Sequence, residues 1–78
     1  MTRKLNWEKT MKLSARNQIK GKVTEVRKGQ TTAHVFIKVG KGLMITSSIT
    51  NEAVDDLKLK AGDSVVAVIK ASDVMVGK

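Results

Sequence analysis

Hydrophobic residues along this chain alternate with polar ones over short runs, which is the period of a half-buried strand. The clearest run is "TTAHVFIKV", where Ala33, Val35, Ile37 and Val39 fall on one face and His34, Phe36 and Lys38 on the other. Upstream, Ile19, Val23 and Val26 stand among Lys20, Lys22, Thr24, Glu25 and Arg27. Gly21 interrupts that run, which predicts a strand with a glycine bend or bulge. Between the two strands, "RKGQT" supplies a turn at Gly29. The "GKG" of residues 40–42 closes the second strand and opens a hairpin into "LMITSSIT", a third strand rich in β-branched residues.

The pattern then changes. In "TNEAVDDLKL", Thr50 or Asn51 can cap a helix, and Glu52, Asp55 and Asp56 sit early in it, where the positive end of the helix dipole favours them. Ala53, Val54 and Leu57 give this helix an apolar stripe. "KAGD" turns at Gly62, and "SVVAVIKA", the longest β-branched run, reads as a central strand. "SDVMVGK" reads as a final short strand with Val74 and Val76 on one face and Met75 on the other. The order is strand, strand, strand, helix, strand, strand. It predicts an all-β protein, a five-stranded OB-type Greek-key barrel with one short helix. An SH3-like barrel is the competing architecture. The opening "MTRKLNWEKTMK" mixes charge with isolated Leu5, Trp7 and Met11 and has no capping signal. Residues 1–10 are read as an N-terminal arm, disordered or briefly helical, and residues 11–78 as the folded domain.

Size and composition narrow the options. At 78 residues the chain is one domain, and a domain this small buries only about 60% of its unfolded surface. It is therefore marginal alone and would gain from oligomerisation, a metal or disulfides. Cysteine is absent and histidine occurs once, so disulfides and a Cys/His zinc site are excluded. Self-association is the support that is left. No apolar run approaches the roughly 18 residues of a membrane span, and the N-terminus lacks the apolar core of a signal peptide, so a cytoplasmic location is expected. The net charge of +8, from 15 basic and 7 acidic residues, suits an anionic partner.

Candidate chemistry points the same way. No enzyme is expected. His34 lies on the polar face of its strand with no nucleophile signature beside it, and Asp55 and Asp56, adjacent on a helix, do not face each other. Small basic barrels that grip single-stranded nucleic acid stack its bases on aromatic side chains. Here Trp7 and Phe36 are the whole aromatic complement, so nucleic acid is not the expected partner, although duplex binding through phosphates stays open. A small oxyanion suits the residue types better, because a tetrahedral dianion needs converging donors and positive charge to offset desolvation. "SARN" offers a hydroxyl, a guanidinium, an amide and backbone N–H groups within residues 14–17; "SSIT" offers hydroxyls, and "IKAS" offers Lys70 and Ser72.

"MKLSARNQIKGKV" and "ITSSITNEAVDDLKLKAGDSVVAVIKASDVMVGK", with the hairpin between them, resemble the molybdate-binding Mop (molbindin) proteins of the TOBE domain group. The resemblance covers residues 11–78, with "SARNQ", "ITSSIT" and "AVIKASDVM" in family order. It implies a five-stranded barrel that binds molybdate or tungstate without catalysis, stores or buffers it, and assembles as a homohexamer, a trimer of dimers. The oxyanion would lie between subunits, held by the protein's donors with no side chain coordinating the metal. By matched position, Ser14, Ala15 and Arg16 lie in the "SAR" binding segment, and Lys70 and Ala71 in the "KA" step. Thr50 would come from the neighbouring subunit, with Asn17 and Ser72 as further neighbours.

Two features depart from the family pattern. The arm with Trp7 extends beyond the usual family start, and Phe36, Lys38, Lys41 and Leu43 stand where more polar or acidic residues are expected. Phe36 should point away from the core and pack under the arm, against Trp7, or at a subunit interface. The alternative function is a regulatory or interaction module on the same barrel that contacts protein or nucleic acid, for which no helix-turn-helix or ATPase segment is present.

Overall fold

The structure, a computed structural model, describes residues 16–78. Its elements are β1 (Asn17–Lys28), β2 (Thr32–Val39), β3 (Leu43–Thr50), α1 (Asn51–Leu57), β4 (Ser64–Ile69) and a 3-10 turn at Ala71–Asp73. The four strands form one antiparallel sheet in the order β3-β2-β1-β4. The alternation of β2 is realised as expected: Ala33, Val35, Ile37 and Val39 are buried, and His34 and Lys38 are exposed. With Val23, Val54 and Ala67 they form the core, flanked by Val26, Ile45, Ile49, Leu59 and Val65.

Strand β1 is long because it serves two partners in succession. Its first half, from Asn17 to Lys22, pairs with β4, and its second half, from Lys22 to Lys28, pairs with β2. The bulge expected near Gly21 falls instead between Val23 and Glu25, where Thr24 is the extra residue. Gly21 matters for its lack of a side chain. A Cβ there would lie 2.6 Å from Ile37 Cγ2, 2.7 Å from Val39 Cγ1 and 2.8 Å from the Lys38 carbonyl oxygen. Hydrogen alone at this position lets β1 curl over β2 at close range. Just beyond it, the N–H of Val23 donates to the Asp63 carbonyl at 2.8 Å and its carbonyl accepts from the Gly62 N–H at 2.7 Å. The loop between α1 and β4 is thereby tied to the bend.

The hairpin turns follow from local chemistry. Gly40 and Gly42 take positive φ of 62° and 68°, which an L residue adopts only with strain. Thr50 caps α1 by accepting from the Ala53 N–H at 3.0 Å. Asn51 then latches the helix start onto the β1–β2 turn: its N–H donates to the Thr31 carbonyl at 2.8 Å and its Nδ2 to the Gly29 carbonyl at 2.9 Å. The Asn51 Oδ1 is buried without a hydrogen-bond partner among the described residues. At the far end of α1, Lys58 adopts the left-handed conformation (φ 54°) and its N–H closes the last turn on Val54 and Asp55 carbonyls.

Two expectations are corrected. "SVVAVIKA" forms β4 at an edge of the sheet, not at its centre, because β1 occupies the interior position beside it. "SDVMVGK" forms no strand: it opens with the 3-10 turn, and although Val74 is extended (φ −96°, ψ 119°), nothing among the described residues pairs with it. A strand needs a neighbour to satisfy its backbone. Without one, Val74, Met75 and Val76 are left 50%, 94% and 92% exposed. The sheet is open between its edges β3 and β4, and an apolar cavity of about 410 Å³ lies in that opening, lined by residues including Ile37, Ile45, Ile49, Val65 and Ala67. The arm at residues 1–10 and the expected contact of Phe36 with Trp7 lie outside the described residues.

The close approach at Gly21 gives a direct check. Gly21→Ala should lower unfolding stability by about 1–3 kcal/mol, since the Lys38 carbonyl cannot move aside as a side chain can. Urea denaturation reads this, and an unchanged midpoint would show that β1 does not need the close crossing.

Candidate oxyanion-binding site

The site residues expected from the sequence fall at two places. At one end of the β1–β4 ladder Asn17 is paired with Ile69, and the Asn17 Nδ2 donates to the Ile69 carbonyl at 3.2 Å. Arg16 precedes Asn17 and Lys70 follows Ile69, so the antiparallel pairing brings both cations to the same ladder end although they are far apart in sequence. Both are exposed, and neither forms an ion pair among the described residues. Ser14 and Ala15, immediately upstream, lie outside the described residues.

The same ladder end presents backbone donors. Lys70 stands extended at the entry to the 3-10 turn (φ −66°, ψ 143°). Inside that turn the Asp73 N–H donates to the Lys70 carbonyl at 2.9 Å and the Val74 N–H to the Ala71 carbonyl at 3.2 Å. The N–H groups of Ala71 and Ser72 open the turn and have no backbone acceptor among the described residues. A guanidinium, an ammonium, the N–H groups of Ala71 and Ser72 and the Ser72 hydroxyl therefore belong to one stretch of surface. Such a set of donors can replace part of the water shell of a small anion. Asp73 is the acid within the turn, and it forms no ion pair with either cation.

Thr50 is elsewhere. It ends β3 opposite Thr32, level with the far end of β1, and its hydroxyl is already the cap of α1. The register thus sets Thr50 and the pair Arg16 and Lys70 at opposite ends of the sheet within one chain. Capping leaves the Thr50 Oγ1 as an acceptor of one bond but does not use its O–H as a donor.

Other chemistry is sparse. No group of three or more His, Cys, Asp or Glu is placed to hold a metal ion among the described residues. No helix among them is long and apolar enough to cross a membrane. Two features escape sequence reasoning. One is the pair of N–H groups at Ala71 and Ser72 with no backbone acceptor among the described residues, which sits at the 3-10 turn that stands in place of the expected strand. The other is the gathering of Arg27, His34 and Phe36 on the outer face, which counting register outward from the Gly29 turn would have shown.

The family model of the TOBE domain matches residues 13–76. The chain belongs to the TOBE domain family. Among TOBE relatives, it is 47% identical over 66 residues to the "molybdenum-pterin-binding protein 3" of Clostridium pasteurianum, covering 85% of this chain and 97% of that protein. The structure of a molybdate-binding protein from Sporomusa ovata superposes with a TM-score of 0.82 at 38% identity, covering 87% of this chain and 100% of that one. The cytoplasmic molybdate-binding protein ModG, solved with molybdate bound, superposes with a TM-score of 0.81 at 44% identity over 87% of this chain and 48% of that longer one. The TOBE match ends at residue 76 and so takes in the 3-10 turn together with Lys70, Ala71 and Ser72.

The helix cap can be separated from any ligand role of Thr50. Thr50→Ala should cost about 1 kcal/mol of stability by removing the acceptor for the Ala53 N–H, and Thr50→Ser should restore most of it. Thermal unfolding without ligand reads the cap alone; equal melting of the Ala variant and the parent would exclude the capping role.

Proposed function

We propose that this protein binds molybdate, or its congener tungstate, non-covalently, and acts as a cytoplasmic store or buffer for the oxyanion. The observation that carries this reading is the ladder end where Arg16 and Lys70 meet the N–H groups of Ala71 and Ser72, which have no backbone acceptor among the described residues. The names of the relatives supply the anion: the Clostridium pasteurianum protein is called molybdenum-pterin-binding, and the Sporomusa ovata and ModG structures are of molybdate-binding proteins. No reaction is catalysed. In this reading Arg16 and Lys70 offset the charge, Ala71 and Ser72 donate backbone hydrogen bonds, and Ser14, Ala15 and Asn17 extend the donor set around the anion. The protein holds the oxygens, and the metal atom keeps its own ligands.

The reading includes self-association as a homohexamer, a trimer of dimers. Thr50 cannot join Arg16 and Lys70 within one chain on the observed register, so its hydroxyl would come from a second copy. The apolar opening between β3 and β4, and the exposed Val74, Met75 and Val76, are both surfaces that association would cover. Once covered, they would complete the fifth strand and close the OB-type barrel of residues 11–78, with residues 1–10 as an arm outside it. Burial of this apolar surface would add stabilisation to a domain of 78 residues, which buries a smaller share of its surface by itself than a larger domain does.

Calorimetric titration with molybdate, tungstate, sulfate and phosphate, together with a mass measurement in solution, tests the proposal. Heat is expected for molybdate and tungstate on an oligomeric species. A monomer silent to all four anions would refute it. Arg16→Ala and Lys70→Ala should each weaken binding by about 1.5–3 kcal/mol, the loss expected for a charged hydrogen bond. An unchanged affinity in either variant would remove that residue from the site.

A further inference from the structure

The outer face of the sheet carries a second surface with no part in the oxyanion site. Its rows follow from register: Lys22 opposite Lys38, Glu25 opposite Phe36, and Arg27 opposite His34. Phe36 is half-buried at the centre. The Arg27 guanidinium lies over its ring, 5.1 Å from the centroid, and the His34 imidazole centroid is 6.5 Å away at a tilt of 36°. Three planar groups from two adjacent strands thus adjoin.

The charge on this face is unbalanced. Glu25 is its acid and is already held by Arg27 through bonds of 3.0 and 2.9 Å. Lys22 and Lys38 lie directly opposite each other, both exposed, and neither forms an ion pair among the described residues. Like charges directly across a ladder destabilise it. An anionic partner relieves that repulsion, and the planar cluster beside it favours a partner with flat, unpaired rings.

We propose that the face built from Arg27, His34, Phe36, Lys22 and Lys38 docks single-stranded nucleic acid, with an unpaired base stacked on the planar cluster and adjoining phosphates on the lysine pair. Composition alone, with its few aromatic residues, points away from nucleic acid. The fold changes that reading, because the Arg27 guanidinium, backed by the phenyl ring and with the imidazole beside it, offers an outer plane on which a base can stack. A duplex keeps its bases stacked inside and cannot use such a platform. An acidic protein segment could neutralise the lysines but gains nothing comparable from the stacked rings.

The test is fluorescence anisotropy of the full chain with a labelled oligothymidylate of about 15 nucleotides, the upper end of the site size of a small barrel. Saturable binding is expected, weakened by salt and weaker for a duplex of the same length. Phe36→Ala should weaken it about tenfold or more, the cost of a lost stacking contact. Lys22→Gln and Lys38→Gln should each lower the salt slope by about 0.7. His34→Ala, a second probe of the platform should the Phe36 variant misfold, should weaken binding with an unchanged circular dichroism spectrum. Molybdate titration of the same variants is a separate readout and should not change, so failure here is distinguishable from failure of the oxyanion reading. No binding, equal affinity for the duplex, equal displacement by polyglutamate, or indifference to both Phe36→Ala and His34→Ala would each overturn the proposal.

Discussion

Everything in this fold hangs on one strand keeping two neighbours. β1 pairs with β4 and then with β2, and the change of partner occurs at Lys22, which is in register with both Ser64 and Lys38. β2 and β4 lie on opposite edges of β1, so the two ladders are staggered along one strand and overlap at Lys22. Gly21 lacks the side chain that would collide with Ile37, Val39 and the Lys38 carbonyl, and the extra residue at Thr24 bends and twists the strand directly after it. The main chain of Val23 is then fastened on both its donor and its acceptor by Gly62 and Asp63. The small core side chains fit this geometry, since tightly curled strands leave little room between them.

The candidate site is a by-product of the same arrangement. Because β4 runs back along the first half of β1, the residue before β1 and the residue after β4 end side by side. Neither Arg16 nor Lys70 needs a loop of its own to be presented; the ladder aligns them. The 3-10 turn ends the ladder and leaves the N–H groups of Ala71 and Ser72 without a backbone acceptor among the described residues. Thr50 is held by a separate device, the helix start latched to the β1–β2 turn through Asn51. The two halves of the donor set are therefore positioned independently.

What can be read from the sequence is what depends on near neighbours. The alternation of β2, the Gly29 and Gly40 to Gly42 turns and the cap at Thr50 are local, and each appears where its residues place it. The position of β4 is not legible in this way, because a β-branched run looks the same at an edge as at the centre; only partner choice separates them. The expected last strand fails because "VMVGK" has strand composition but no neighbour among the described residues. Arg16 and Lys70 are legible through motif resemblance, whereas their meeting at one ladder end depends on a register spanning most of the chain. The cluster of Arg27, His34 and Phe36 is hidden for a milder reason: its residues are near in sequence, but their shared face emerges only when two strands are laid side by side.

The pairing of Asn17 with Ile69 bridges 52 residues, while the β1–β2–β3 meander is joined by short turns. Contacts between near neighbours form early, and those that close long loops form late. On the ribosome, the first half of β1 emerges long before β4 exists to cover it. The ladder end that gathers Arg16 and Lys70 is consequently a mark of completion. A chain cut short before β4 can build the meander, yet it has no means of bringing those two cations together.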